Sequence, residues 1–145
     1  MIQAGSGIEE IGRVIQLSVA PVFLITGIAG LLSVLSGRLG RTIDRSRVLR
    51  SLPIDEDSRP QIHEELTVLS SRAKLIYRAI TLGTTSALLI CFVIVSLFLS
   101  AFVSFPISSV VAVLFVAAVI ALIAALVFFL REVFLATRIL RIGPP

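Results

Sequence analysis

The sequence is short of the side chains from which catalytic and metal sites are assembled. Cys91 is its one cysteine and His63 its one histidine, which excludes an intramolecular disulfide and any cluster of Cys or His ligands. Cys91 lies in the middle of an apolar run and reads as a small packing residue. His63 opens a charged helical stretch and reads as a solvated side chain. With no second histidine and no thiol partner, no nucleophile–base pair can be formed either. Charge is absent from three long stretches: residues 14–36, 79–103 and 107–130 contain no Asp, Glu, Lys, Arg or His. A proton relay through a membrane needs an acid inside a span, and here there is none. Gly37 and Gly40 follow no strand and so form no phosphate-binding loop. No enzymatic activity, metal or cofactor is expected.

What remains is apolar length. Of the 145 residues 57% are apolar, far above a soluble domain, and the excess is concentrated in the three uncharged blocks of 23 to 25 residues. A helix rising 1.5 Å per residue needs roughly 20 residues to cross a hydrocarbon core about 30 Å thick, so each block is long enough to span with some tilt. The first block is preceded by Glu9, Glu10 and Arg13. That is no basic leader, and no small-x-small cleavage site follows, so the block reads as a retained span rather than a signal peptide. The whole chain, 1–145, is read as a single membrane domain.

The basic residues then set the threading. Of the 13 Lys and Arg residues, all but Arg13 lie on one side of the three blocks, most of them between the first two. The positive-inside rule places that side in the cytoplasm, with the N-terminus outside and the C-terminus inside. Basic charge so placed is accounted for by topology and calls for no nucleic-acid partner.

Between the first two spans, residues 37–78 read as a helical hairpin. No proline interrupts the chain from Arg38 to Pro53, so one helix is expected over about 14–51 after a short lead, 1–13, with Pro21 bending its outer third. Residues 51–60 form the turn, where Pro53, Pro60 and the acidic run Asp55-Glu56-Asp57 fall. Ser58 and Gln61 have capping-box spacing, and Pro60 suits a first helical turn. Leu35, Leu39, Thr42, Ser46 and Leu49 on one arm, and Ile62, Leu66, Leu69, Ala73, Ile76 and Ile80 on the other, alternate by three and four. That spacing predicts the seam of a short antiparallel coiled coil. Ser104-Phe105-Pro106 is read as a tight outer turn.

Two constellations stand out. Thr26, Gly30, Ser33, Gly37 and Gly40 share one face of the first helix. In lipid such small residues let helix backbones approach, either against another span of the same chain or along a seam between copies. At the cytoplasmic boundary, Arg38, Arg41, Asp44, Arg45, Arg47, Arg72, Arg78, Arg131, Glu132 and Arg138 form a charge cluster. Helix-length arithmetic puts Arg38 near Arg78 and Glu132, and Asp44 farther in at the depth of Arg72 and Arg138. Asp44, flanked by Arg41 and Arg47, is expected to bridge several bases and tie the helix ends together. The same cluster would suit an anionic lipid headgroup or the vestibule of an anion-attracting pore.

Ala20-Pro21-Val22-Phe23-Leu24 in the first span, Arg38, Arg41, Asp44, Arg45 and Arg47 beyond it, and Arg131-Glu132-Val133 after the third span resemble a family of small bacterial membrane proteins of unknown function, domain of unknown function family 2721. The resemblance covers roughly residues 14–141. It implies three spans in a bacterial inner membrane and brings no activity or site residues.

The expectation is therefore an all-α integral membrane protein with three transmembrane helices and a cytoplasmic antiparallel hairpin. It would act as a homo-oligomeric structural or interaction component surrounded by membrane lipids. Two alternatives stand beside it. One is an oligomeric channel lined by Gln16, Ser18, Thr26 and Ser33 of the first helix. The other is a stalk that docks lipid or a protein partner through residues 54–65.

Overall fold

A computed structural model of the chain describes the backbone of residues 2–53, 56–100 and 108–140, and within these the side chains of 7–53, 56, 58–100 and 108–137. The architecture is all-α. Helix α1 runs over Ile2–Ser51, a 3-10 turn over Glu56–Ser58, helix α2 over Arg59–Ser100 and helix α3 over Ser108–Leu140. All three α-helices are long and apolar enough to cross a membrane.

Helix α1 begins well before the expected residue 14 and takes in most of the lead. Nothing between Ile2 and Arg13 forbids a helix: the stretch has no proline, and its glycines only lower propensity. Pro21 lies inside α1 and is buried. It brings no N–H to the helical ladder. One turn before it, the Ser18 hydroxyl donates to the Val14 carbonyl at 2.8 Å. At the other end α1 stops at Ser51, two residues before Pro53, where a proline cannot continue the helix. Pro60 falls in the first turn of α2, as its fixed φ favours. The outer turn at 104–106, the last residues of the second block, Asp55 and the tail beyond 140 lie outside the described residues.

The chain divides into two compact units. The first comprises Met1–Leu31 and Gly83–Ile123. Its buried positions on α1 are Val14, Ser18, Pro21 and Ile28; on α2 they are Gly83, Ser86, Ile90 and Val93; on α3, Ala118. The steps of three, four and seven keep each set on one side of its helix. Ser86 is wholly buried, and its hydroxyl donates to the Ala118 carbonyl across to α3 at 2.7 Å. The hydroxyl thereby escapes the penalty of an unsatisfied polar group in an apolar interior.

The second unit comprises Leu32–Leu82 and Ala124–Pro145 and contains nearly all of the charge. Leu35, Thr42 and Leu49 are buried on α1, Leu69, Ile76 and Ala79 on α2, and Ala125 and Glu132 on α3. Every one of the eleven positions assigned to the seam is buried or half-buried. Thr42 and Ser46 interrupt the aliphatic row of α1, and their hydroxyls are satisfied within the helix by the Arg38 carbonyl at 3.0 Å and the Ile43 carbonyl at 2.7 Å. Full burial of aliphatic side chains such as Leu49 and Leu69, where their surroundings are aqueous, contributes about 1.5–3 kcal/mol each. Outside the seam the arms are joined by Arg45 Nε and Glu65 Oε1 at 2.8 Å.

A candidate charge-locked anion cleft

The centre of the second unit is a carboxylate. Glu132 is completely buried, although it follows Arg131 at the end of an apolar run. The repeat explains it: Ala118, Ala125 and Glu132, all buried, are seven residues apart, so Glu132 occupies the inward face of α3 that the two alanines define.

Two arginines compensate that burial. Arg72 of α2 donates to Glu132 Oε1 from Nε at 3.0 Å and from Nη2 at 2.9 Å. Arg38 of α1 places its Nε 3.0 Å from Oε2, yet neither atom makes a hydrogen bond. The second contact is thus an ion pair whose N–H is not aimed at the oxygen. Arg72 supplies the directional bonds, and Arg38 supplies charge. The Arg38 guanidinium also stands over the Phe129 ring at 5.5 Å from its centroid, within range of a cation–π attraction. Three helices are tied at one carboxylate.

The remaining cluster residues sort by helical phase. Asp44 is exposed and makes no ion pair among the described residues. The expected bridge between several bases is absent there because Asp44 is two residues from buried Thr42, about 200° around the helix. Arg78 is also separate from Glu132: it is exposed and stacks over Phe128 at 5.9 Å. Arg47 and Arg131 are exposed without an ion partner among the described residues. The Arg138 side chain lies outside the described residues. Sequence reasoning missed Arg72 as the principal partner of Glu132 and Glu65 as the partner of Arg45. The second had a signal: Glu65 and Arg45 each directly precede a position of the expected seam, where flanking charges of facing helices meet.

Arg38, Arg41, Arg45 and Arg72 together line a cleft of about 310 Å³, with Thr42 and Leu69 completing the wall. In the first unit a larger concavity of about 670 Å³ is walled by apolar side chains such as Leu17, Val93 and Phe115, with Ser100 and Ser108 at its margin. It contains no titratable group and offers no chemistry. Among the described residues no group of His, Cys, Asp and Glu is arranged to hold a metal ion.

The small-residue stripe of α1 takes an unexpected position. Thr26, Gly30, Ser33, Gly37 and Gly40 are all exposed, and a Cβ built at Gly30, Gly37 or Gly40 meets nothing within 4 Å. Among the described residues, no other span packs against these glycines. The inward face of α1 belongs to Ile28, Leu35, Thr42 and Leu49, out of phase with the stripe. The polar residues considered as a pore lining do not share a face: Ser18 is buried while Gln16, Thr26 and Ser33 are exposed, and a separation of two residues sets Gln16 and Ser18 about 200° apart.

No curated protein and no solved structure matches the chain. The model of a family described as a protein of unknown function (DUF2721) matches residues 18–142, and the chain belongs to that family.

Proposed function

We propose that the protein is a non-catalytic structural or interaction component of the bacterial inner membrane that assembles with copies of itself through the small-residue face of α1. The N-terminus lies outside, and the C-terminus and the charged hairpin lie in the cytoplasm, as the one-sided basic charge favours. The observation that carries the reading is the open space beside Gly30, Gly37 and Gly40. A face of glycine, serine and threonine that no described part of the chain covers is suited to the close approach of a second helix in lipid, where association depends on backbone proximity rather than on apolar exclusion.

The open space also makes the test clean. A Cβ added at Gly30 or Gly37 meets nothing within 4 Å among the described residues, so the double leucine variant should fold and insert normally. Its mass in detergent, measured by light scattering, should fall to that of one chain while the parent's is a multiple. A parent of one-chain mass, or a variant that retains the parent's mass, would overturn the proposal.

A further inference from the structure

We infer that the arginine cleft of the second unit is a binding site for a phosphate oxyanion, with Arg41 as its principal ligand. The inference does not rest on self-assembly: Arg38, Thr42 and Arg45 lie off the small-residue face of α1 and Arg72 is on α2, while Arg41 stands one turn from Gly37 at the border of that face.

The charge balance of the cleft is the first support. Four guanidiniums line it. Glu132 neutralises Arg38 and Arg72 jointly, and Glu65 neutralises Arg45. One carboxylate shared by two arginines leaves a surplus positive charge there. Arg41 adds another, because it has neither an ion pair nor a hydrogen bond among the described residues. Four cations held together against two anions are stable only where a further anion or bulk water screens them.

The chemistry of the donors is the second support. All four cations are arginines, whose planar forks present paired N–H groups that match the spacing of phosphate oxygens. Arg72 and Arg38 are fixed through Glu132, and Arg45 through Glu65. Most of the site is therefore pre-organised, and only Arg41 has to lose rotamer freedom on binding. Leu69 supplies an apolar wall with no competing acceptor.

Depth is the third support. Arg38 is two residues past the uncharged block 14–36, and Arg45 lies a further seven residues on, about 10 Å along the helix. Counted from residue 36, Arg38 and Arg41 fall within the polar layer on one side of a bilayer, roughly 5–8 Å thick, and Arg45 lies beyond it. A phospholipid headgroup and a free phosphate share the chemistry that the cleft recognises, and experiment separates them.

The test uses the full chain in a neutral detergent, followed by thermal unfolding in far-UV circular dichroism. Phosphatidylglycerol, phosphatidylcholine and inorganic phosphate are titrated separately, since a ligand of the folded state raises the melting temperature with its concentration. A saturable rise with phosphatidylglycerol and none with phosphatidylcholine identifies a headgroup as the source. A rise with inorganic phosphate alone identifies the free ion, and either result supports the site provided Arg41 is required. Arg41→Gln should weaken the apparent affinity about tenfold or more, the value of a charge-assisted hydrogen bond. Arg131→Gln removes an exposed charge that directly follows an apolar run but lies outside the cleft, and should weaken it less than about fivefold, the effect of one surface charge. Because Arg41 is exposed and unpartnered, its variant should melt like the parent without ligand. No saturable rise with either anion, or equal losses in the two variants, would overturn the inference.

Discussion

If Arg72 holds Glu132 by direction and Arg38 holds it by charge, the two arginines should not be equivalent. Arg72→Met removes both hydrogen bonds to Oε1 and leaves a carboxylate with no solvent exposure facing an Arg38 whose Nε is not aligned with it. Removing one partner of a buried pair costs about 3–5 kcal/mol, since the other charge stays buried. Arg38→Met leaves the Arg72–Glu132 pair intact and balanced. Its expected cost is about 1–2 kcal/mol, near that of a single ordinary polar contact plus the lost stacking on Phe129. In the double variant Arg72→Met/Glu132→Met no buried carboxylate remains to be left unpaired, and most of the loss should be recovered.

These differences can be read by titrating SDS into mixed micelles at neutral pH and following the loss of helical structure. The expected order of stability is parent, then Arg38→Met close to the double variant, then Arg72→Met clearly lowest. Equal losses in Arg38→Met and Arg72→Met would mean that Arg38 turns to take over the bonds. A double variant no better than Arg72→Met would mean that the carboxylate is not what makes the single change costly. Either result would refute the account of the lock.

Two further outcomes follow from the first unit. Ser86→Ala, which removes the 2.7 Å bond to the Ala118 carbonyl, should lower stability in the same titration by about 0.6–1.7 kcal/mol, the range of interhelical hydrogen bonds in membranes; a loss above 3 kcal/mol, roughly, would show the hydroxyl in a larger network than one bond. Cys91, exposed on the chain's own surface, should resist a charged, membrane-impermeant maleimide in sealed vesicles and react once the vesicles are dissolved in detergent. Labelling in intact vesicles from either side would contradict a lipid-facing position in the middle of a span.

The elements were legible because apolar length and the absence of charge act over many residues at once. No single side chain has to be placed correctly for blocks 79–103 and 107–130 to read as helices. The buried rows of the two arms were legible for the same reason, since Leu35, Thr42 and Leu49 recur at steps of seven on α1, and Leu69 and Ile76 on α2. Locating the charge hub demanded more: the phase of three separate helices, to within one residue. Asp44 drew attention through its neighbours in sequence, Arg41 and Arg47, but helical phase turns it away from buried Thr42. Glu132 looked like a boundary charge beside Arg131, although the step of seven from Ala118 and Ala125 already put it inside. The stripe from Thr26 to Gly40 was legible as a face, whereas the direction of that face depended on which residues of α1 fill the interior. Larger aliphatic side chains at Ile28 and Leu35 do so, and this turns the small residues outward.

A buried glutamate inside a helix is costly unless something compensates it, and the compensation here has a consequence beyond stability. A carboxylate matched by one arginine would leave the boundary electrically quiet. Glu132 instead draws in Arg38 and Arg72 from two other helices, so the contact that fastens the three helices also concentrates positive charge beside them. Arg41 and Arg45 on the same stretch of α1 extend that charge around the cleft, and Glu65 cancels one of them. The surplus positive charge is thus not an accident of a basic sequence spread over a surface. It is held in place by the helix lock, so the contact that ties the three helices together also leaves uncompensated positive charge beside the cleft.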